Sequence, residues 1–504
     1  MVMNLKDKNL PLFLTILALS YLTPMSTYAD ANSDRMAYQV EILKTREEVS
    51  ENESDYVYRK LMQRNLQQQL TNRDDNTQFG LHGMEIPAVN ANGDLKKIDR
   101  AYSLLAHAGV DSLRSFETAW HRVSDISGNP TNFTQLDFQL EEAKKYNMSH
   151  LFVFGYPPAK YTVANNKLSA VQPKYYDKYR EYLKVTLSRL KGYNVKYAEL
   201  ANEVDAPNVW WIKSTPDQYV QEMRMLKESI DGLGLQIKTV AFAATYSRNS
   251  ILGGAEGGRR FIDKSFQLGI DKYSDAYSIH HFSYGNDDLP GYIKNEQIKH
   301  HLPNKEILDT EQLDTSSSGR FQSNPYDLIK LFARAFYYYD MKRVDYFIAK
   351  DRYLNNKLYY TGLFDIDWNP KLRLLAYAMA VDSMKGRKLI GIYQPLPKVE
   401  AYVLKSKKGS SSKYVIVAWL NTSEMKSHKS VILGGISGNV DVEHWNLDVD
   451  KNVNFEKGVQ LDNQPIAIYT DSLPSWVNTN MKSTSTQPDE RRAQKSHAPM
   501  PTDR

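Results

Sequence analysis

The strongest constraint on this chain is an alternation of two periods running from residue 78 to residue 384. Short apolar runs of strand type recur at residues 78–86, 112–116, 151–156, 196–201, 238–244, 277–281, 306–310 and 344–349. Between them lie amphipathic stretches of helical period, such as 95–108, 138–146, 174–190, 218–231, 327–339 and 372–384. Strand and helix signals in such regular alternation predict an α/β fold, a (β/α)8 TIM barrel over residues 77–386. An open doubly wound sheet usually has fewer units and a glycine-rich phosphate loop after its first strand, and no such loop follows residues 78–86. The barrel is favoured.

The texture changes after residue 386. Runs at 389–403, 414–420, 430–433, 441–445 and 466–469 are strand-like, with Gly, Ser and Asn turns between them. They predict a small antiparallel β-sandwich domain over residues 387–471. Residues 472–504, rich in Ser, Thr, Pro and charge, have little to bury and are expected to be disordered. Residues 32–76 form a polar N-terminal arm with a helix-like stretch at 56–70. Residues 1–31 have the layout of a signal peptide: Lys6 and Lys8, then the apolar run LFLTILALSYL, then Ala29-Asp30-Ala31. That run is shorter than the roughly 20 residues a membrane span takes, so the chain is expected to be exported, periplasmic or secreted, without a span once the signal is removed.

Composition closes off several function classes. There is no cysteine among the 504 residues, which excludes thiolate nucleophiles, disulfides and zinc–thiolate centres. A net charge of +5 with no long basic run gives no footprint for nucleic acid. His300-His301 falls in a helix without metal-ligand spacing, and no metal or cofactor is expected. Residues 448–454 (DVDKNVN) have the acidic spacing of a calcium loop without its Gly or its terminal Glu, and read as a β-turn cluster.

In a barrel of this type, chemistry sits at the carboxyl ends of the strands. Strand four ends Ala201-Asn202-Glu203, and strand seven ends Asp309-Thr310-Glu311. Both carboxylates would face one mouth. Such a pair is the minimum for cleaving a glycosidic bond, one protonating the leaving oxygen while the other attacks or positions water. Arg114, ending strand two, would hold one carboxylate ionised. Asn202 offers a hydrogen bond to a sugar hydroxyl. Strand six ends His280-His281-Phe282-Ser283-Tyr284, and by alternation only one of the two histidines can point into the mouth. Trp120, Tyr156, Trp210, Trp211 and Trp368 follow strands on the same face and are candidate platforms for sugar rings.

With these motifs the chain resembles a clan A glycoside hydrolase. Asn202-Glu203 and Glu311 match that clan's acid/base on strand four and nucleophile on strand seven, and Arg114 matches its strand-two arginine. Residues 113–158 (LRSFETAW…LDFQLEEAKKYNMSHLFVFGYPP) resemble the family 39 type, as does the β-domain. The resemblance implies a retaining hydrolase using Glu203 as acid/base and Glu311 as nucleophile, with His281 or Tyr284 supporting the nucleophile. It also implies a polysaccharide or oligosaccharide substrate, such as a bacterial exopolysaccharide, and a partnership with exopolysaccharide synthesis or export machinery. The usual His-x-Tyr after strand six and Gly-x-Pro-x-Trp around the acid/base are both altered here. A non-catalytic polysaccharide-binding protein on the same barrel is the alternative reading.

Overall fold

The computed structural model describes residues 51–477, apart from 72–73, 75, 85–93, 207–208, 246–253, 281–288, 313–323, 355–356, 408 and 422–429. The expected signal peptide, His281 and Tyr284 lie outside the described residues.

Eight parallel strands close into a barrel in sequence order. They are β1 (Gln78–His82), β2 (Ser112–Ser115), β3 (Ser149–Phe154), β4 (Val195–Leu200), β5 (Lys238–Ala244), β6 (Ala276–Ile279), β7 (Ile307–Gln312) and β8 (Arg343–Phe347). Two helices precede the barrel, α1 (Glu51–Met62) and α2 (Leu66–Thr71). The crossover helices are α3 (Asp94–Ala108), α4 (Thr134–Lys145), α5 (Tyr176–Arg189), α6 (Pro216–Gly232), α7 (Gly254–Gln267), α8 (Leu289–Lys299) and α9 (Asp327–Ala333), and α10 (Arg373–Met384) follows β8. Among the described residues, none is long and apolar enough to cross a membrane.

Local sequence explains where elements begin. Helix α6 opens on Thr215-Pro216-Asp217-Gln218: the Gln218 N–H reaches Thr215 Oγ1 at 3.4 Å and the Thr215 N–H reaches Gln218 Oε1 at 2.9 Å. Proline occupies the first turn, where its missing N–H costs nothing. The barrel closes β8 onto β1 with Gly80 opposite Asp345. A Cβ on Gly80 would lie 1.9 Å from Asp345 Oδ1. The absent side chain makes room inside the barrel for Asp345, which accepts 2.7 and 2.8 Å hydrogen bonds from the buried Arg343.

After the barrel, β9 (Arg352–Leu354) and β10 (Lys357–Tyr359) pair as a hairpin, and the β-domain is a six-stranded antiparallel sheet in the order β11 (Lys388–Tyr393), β12 (Val399–Lys405), β13 (Tyr414–Leu420), β18 (Ile466–Thr470), β15 (Asn439–His444) and β16 (Val449–Asn454). A ribbon of β14 (Val431–Leu433) and β17 (Val459–Leu461) accompanies it. Period-two alternation gives the sheet two buried faces. Tyr402, Val415, Val417 and Trp419 join the barrel's core, while Val403, Ile416, Ala418 and Ile468 pack with Leu433 and Leu461. Each such side chain contributes roughly 1.5–3 kcal/mol by leaving water.

Two expectations are corrected. Residues 449–454 are strand β16, not a turn cluster, because they pair antiparallel with β15; Asp450 meets His444 at 2.9 Å and Asp448 meets Lys60 of α1 at 2.5 Å. Order also continues beyond Asp471, since Trp476 packs edge-on against Tyr393 at 5.6 Å and Val477 is buried in the domain core.

Candidate active site

Strand ends converge on one guanidinium. Arg114, ending β2, is fully buried. Its Nε donates to Glu199 Oε2 at 2.8 Å, Nη1 to Glu311 Oε1 at 2.6 Å, and Nη2 to Asn202 Oδ1 at 2.8 Å. Glu199, on β4, also accepts hydroxyl hydrogen bonds from Ser278 of β6 at 2.5 Å and Thr310 of β7 at 3.0 Å. Strands β2, β4, β6 and β7 are thereby tied to one polar layer. Burial alone would favour a neutral Arg114, but the Glu199 and Glu311 charges raise its pKa above the ordinary arginine value.

Glu311 and Glu203 are both fully buried, yet their environments differ. Burial pushes the Glu311 carboxyl upward, but the His280 and His82 rings and the Arg114 guanidinium outweigh it and hold the pKa well below the usual carboxylate range. His82 Nδ1 stands 3.2 Å from Glu311 Oε1. Glu203 is pushed well above that range, first by burial and then by the Glu311 and Asp205 charges, against opposing pulls from Arg114 and the Trp210 indole. His280 Nδ1 lies 3.0 Å from Glu203 Oε1 and 3.9 Å from Glu311 Oε2. Burial lowers the His280 pKa to about 3, so its ring is neutral and Arg114 is the fixed positive charge.

An oxygen of Glu203, a ring nitrogen of His280 and an oxygen of Glu311 all lie within 4.8 Å of one another. Three ligand atoms so placed could in principle hold a cation, but Arg114 already supplies positive charge to Glu311. A second grouping, Asp263, Glu296 and His300, is bridged by the Lys299 ammonium, 2.5 Å from Asp263 and 3.2 Å from Glu296. The backbone at the acid is unusual: Ala201 (φ 59°) and Glu203 (φ 47°) are left-handed, a conformation that side chains seldom adopt outside functional turns. Among the described residues the Asn202 amide nitrogen is buried with no protein partner, a donor left for a ligand.

No family model matches the chain, and no curated protein matches its sequence. Solved structures do. A family 39 glycoside hydrolase from the gut symbiont Bacteroides cellulosilyticus WH2 superposes with a TM-score of 0.61 at 15% identity, covering 79% of this chain and 82% of its own. A GH39 β-xylosidase from Caulobacter crescentus gives 0.55 at 11% identity, covering 79% and 96%. A conserved exported protein from Bacteroides fragilis gives 0.55 at 12% identity, covering 74% and 93%. The chain shares the fold of these GH39 glycoside hydrolases.

Within this GH39-like frame the aromatic candidates separate. Tyr156 (6% exposed) follows β3 with its ring 5.4 Å from Phe116, and Trp210, fully buried in the same cluster, hydrogen-bonds Glu203. Trp368 follows β8, its ring 4.9 Å from the Lys350 ammonium. Trp120 is corrected: it is fully buried between Tyr161 and Tyr182, with centroids at 5.4 and 5.2 Å, and its indole donates to the Gly128 carbonyl. Trp211 is corrected too, because it packs on Tyr219 in the main core and donates to the Thr215 carbonyl. Both tryptophans hold loops in place; neither offers a face to a sugar.

At β6 the described residue in the site is His280, whereas the sequence leaves the supporting role between His281 and Tyr284, which both lie outside the described residues. Ser278 points inward onto Glu199, and two residues on, His280 falls on the same side. Reading that parity would have found it. His82 was also missed, although it ends β1. Phe347, ending β8, packs edge-on against His82 at 4.9 Å and completes the aromatic floor.

Proposed function

We propose that this protein is an exported retaining glycoside hydrolase acting on a polysaccharide. The observation that carries the reading is two buried carboxyl groups with oxygens within 4.8 Å, in surroundings that push the Glu203 pKa up and hold that of Glu311 down. Pairs of titratable groups driven apart in this way are how acid and nucleophile roles are divided.

Glu203 gives its proton to the glycosidic oxygen as Glu311 attacks the anomeric carbon, releasing the leaving sugar and forming a covalent glycosyl-enzyme. Arg114 keeps Glu311 anionic and oriented until that bond forms. Glu203, now ionised, takes a proton from water, which displaces Glu311 and restores both groups. Retention requires carboxyl groups about 5–5.5 Å apart, whereas inversion leaves room for water at about 6.5–9.5 Å; the close approach here favours retention. The sugar-binding residues are Asn202, Arg114, Tyr156, Trp210 and Trp368, together with His280. Likeness to glycoside hydrolase folds supports the activity. The leader-like first 31 residues support export, and with the family resemblance they support a bacterial exopolysaccharide as substrate.

The test is reducing-end release from a panel of bacterial exopolysaccharides by wild type, Glu203→Gln and Glu311→Gln. Cleavage by wild type that both variants lose supports the assignment, and NMR of the first-formed anomer reports retention. Binding by all three without release would make the protein a polysaccharide-binding module.

A further inference from the structure

Two neighbouring crossover helices, α7 and α8, bring metal-ligating side chains together away from the carboxylate pair. Tyr292 of α8 donates its hydroxyl to the Arg259 carbonyl of α7 at 3.2 Å, which sets the two helices against each other. One turn further along both, Asp263 of α7 meets Glu296 of α8 and, just past its last turn, His300. The His300 N–H donates to the Glu296 carbonyl at 3.0 Å, so the helical pattern continues and these two side chains share one face. A carboxylate oxygen of Asp263, one of Glu296 and a ring nitrogen of His300 all lie within 4.8 Å of one another. The sequence shows no ligand motif around His300 because the third member comes from another helix.

The imidazole is the group that the protein leaves unserved. Its ring lies nearly parallel to that of Phe266, a core residue, with centroids 5.8 Å apart and 14° between the planes, which fixes where its nitrogens point. Among the described residues His300 Nε2 is buried with no hydrogen-bond partner, and it stands 3.6 Å from Glu296 Oε2. A buried ring nitrogen without a partner is destabilising and calls for an explanation. The carboxylates are served. The Lys299 ammonium lies 2.5 Å from Asp263 Oδ1 and 3.2 Å from Glu296 Oε2, and the Gln267 amide donates to Asp263 Oδ2 at 2.9 Å. Lys299 is 54% exposed on a flexible stem and can withdraw into solvent. One ammonium offsets a single charge and bonds two of the three groups. A divalent cation at the same place would offset both charges and use the imidazole as well.

We propose that Asp263, Glu296 and His300 form a site for a divalent transition-metal ion such as zinc, which replaces the Lys299 ammonium and pins α7 to α8. One imidazole with two carboxylates suits such an ion better than magnesium or calcium, which take oxygen ligands alone. Zinc bound tetrahedrally at about 2.0–2.1 Å sets its ligand atoms about 3.3 Å apart. The 3.6 Å between Glu296 Oε2 and His300 Nε2 is close to that spacing. Water supplies the fourth position on the side where Asp263 is 27% exposed. The crossover helices run back from the carboxyl ends of the strands, so the last turns of α7 and α8 lie toward the opposite face from the mouth. The ion is therefore a clamp, and its presence does not depend on the glycosidase reading.

The test titrates Zn2+ alone into the metal-stripped, untagged full chain at neutral pH, by calorimetry, with Mg2+ for comparison. Wild type is expected to bind one zinc ion per chain, to bind Mg2+ far more weakly, and to melt at a higher temperature with zinc than without it. His300→Gln and Asp263→Asn should each weaken zinc binding by about tenfold or more. Lys299→Gln removes the competing ammonium and should tighten it. His301→Gln, on the exposed neighbour, should bind zinc as wild type does. So should His280→Gln, which separates this site from the Glu203, His280 and Glu311 group. Melting each variant without metal shows that it is folded. Absence of zinc binding, undiminished binding in both His300→Gln and Asp263→Asn, no tightening in Lys299→Gln, or loss of the ion in His280→Gln would overturn the proposal.

Discussion

Arg114 Nη1 lies 2.6 Å from Glu311 Oε1 while the other side of the same guanidinium is held by Glu199, its Nη2 2.6 Å from Glu199 Oε2. Glu311 is thus fixed through a cation that β4 positions. Replacing Arg114 by Met strands two buried carboxylates, which costs about 3–5 kcal/mol. A lower Tm by calorimetry is expected, and Arg114→Met/Glu199→Gln should recover part of the loss because one stranded charge is gone. Equal Tm in the single and double variants would contradict the coupling.

Under the proposed double displacement, activity requires Glu203 protonated and Glu311 ionised, and their displacements in opposite directions widen that window. The kcat/KM profile is expected to be flat through neutral pH, its acid limb well below the usual carboxylate range and its basic limb well above it. Glu203→Gln should lose on the order of 10²–10⁴ in rate and with it the basic limb. His280→Ala admits water beside Glu203, so its basic limb should move to lower pH. A basic limb unmoved in His280→Ala would count against that contact.

Glu222 on α6 is fully buried, accepting the Val171 N–H at 2.7 Å, and burial raises its pKa to about 8. A carboxyl raised on folding binds its proton more tightly in the native state. Its contribution is present below the unfolded value and declines between that value and about pH 8, at no more than about 1.4 kcal/mol per pH unit. Glu222→Gln keeps the acceptor and removes the titration. Its Tm should match wild type near pH 4 and exceed it near pH 8, which thermal melts across pH will show.

Gly80→Ala places a methyl group 1.9 Å from Asp345 Oδ1. Overpacking of this kind costs about 1–3 kcal/mol, read as a lower urea midpoint. The effect should shrink in Gly80→Ala/Asp345→Ala, where the obstructing carboxylate is gone.

Trp120→Ala separates packing from sugar binding. Loss of a fully buried indole costs about 3–5 kcal/mol, so Tm should fall steeply. Trp210→Ala removes an equally buried indole, so its Tm should fall as well, but beside Glu203 it should also impair turnover of the molecules that stay folded. If KM rises in Trp120→Ala while Tm holds, the assignment of Trp120 to packing fails.

The sequence by itself determined the barrel, because periods of two and of 3.6 residues are local properties that survive without tertiary context. Strand ends followed from those periods, and with them Arg114, Asn202, Glu203 and Glu311. The helix at 289–299 and the strands β16 and β17 were not singled out, since their patterns are weak and packing selects them; the helix at 254–267 is strongly amphipathic, but the glycines in its first turns read as loop. Only the tertiary structure decided which rings face the mouth. Trp120 and Trp211 carry the same residue type as Trp210 and all three are buried, but whether an indole packs on tyrosines or lies against Glu203 depends on loops brought together from distant parts of the chain. Protonation was decided there as well. Glu203 and Glu311 are the same side chain at the ends of two strands, and only the placement of Arg114, His82 and His280 around them makes one an acid and the other an anion.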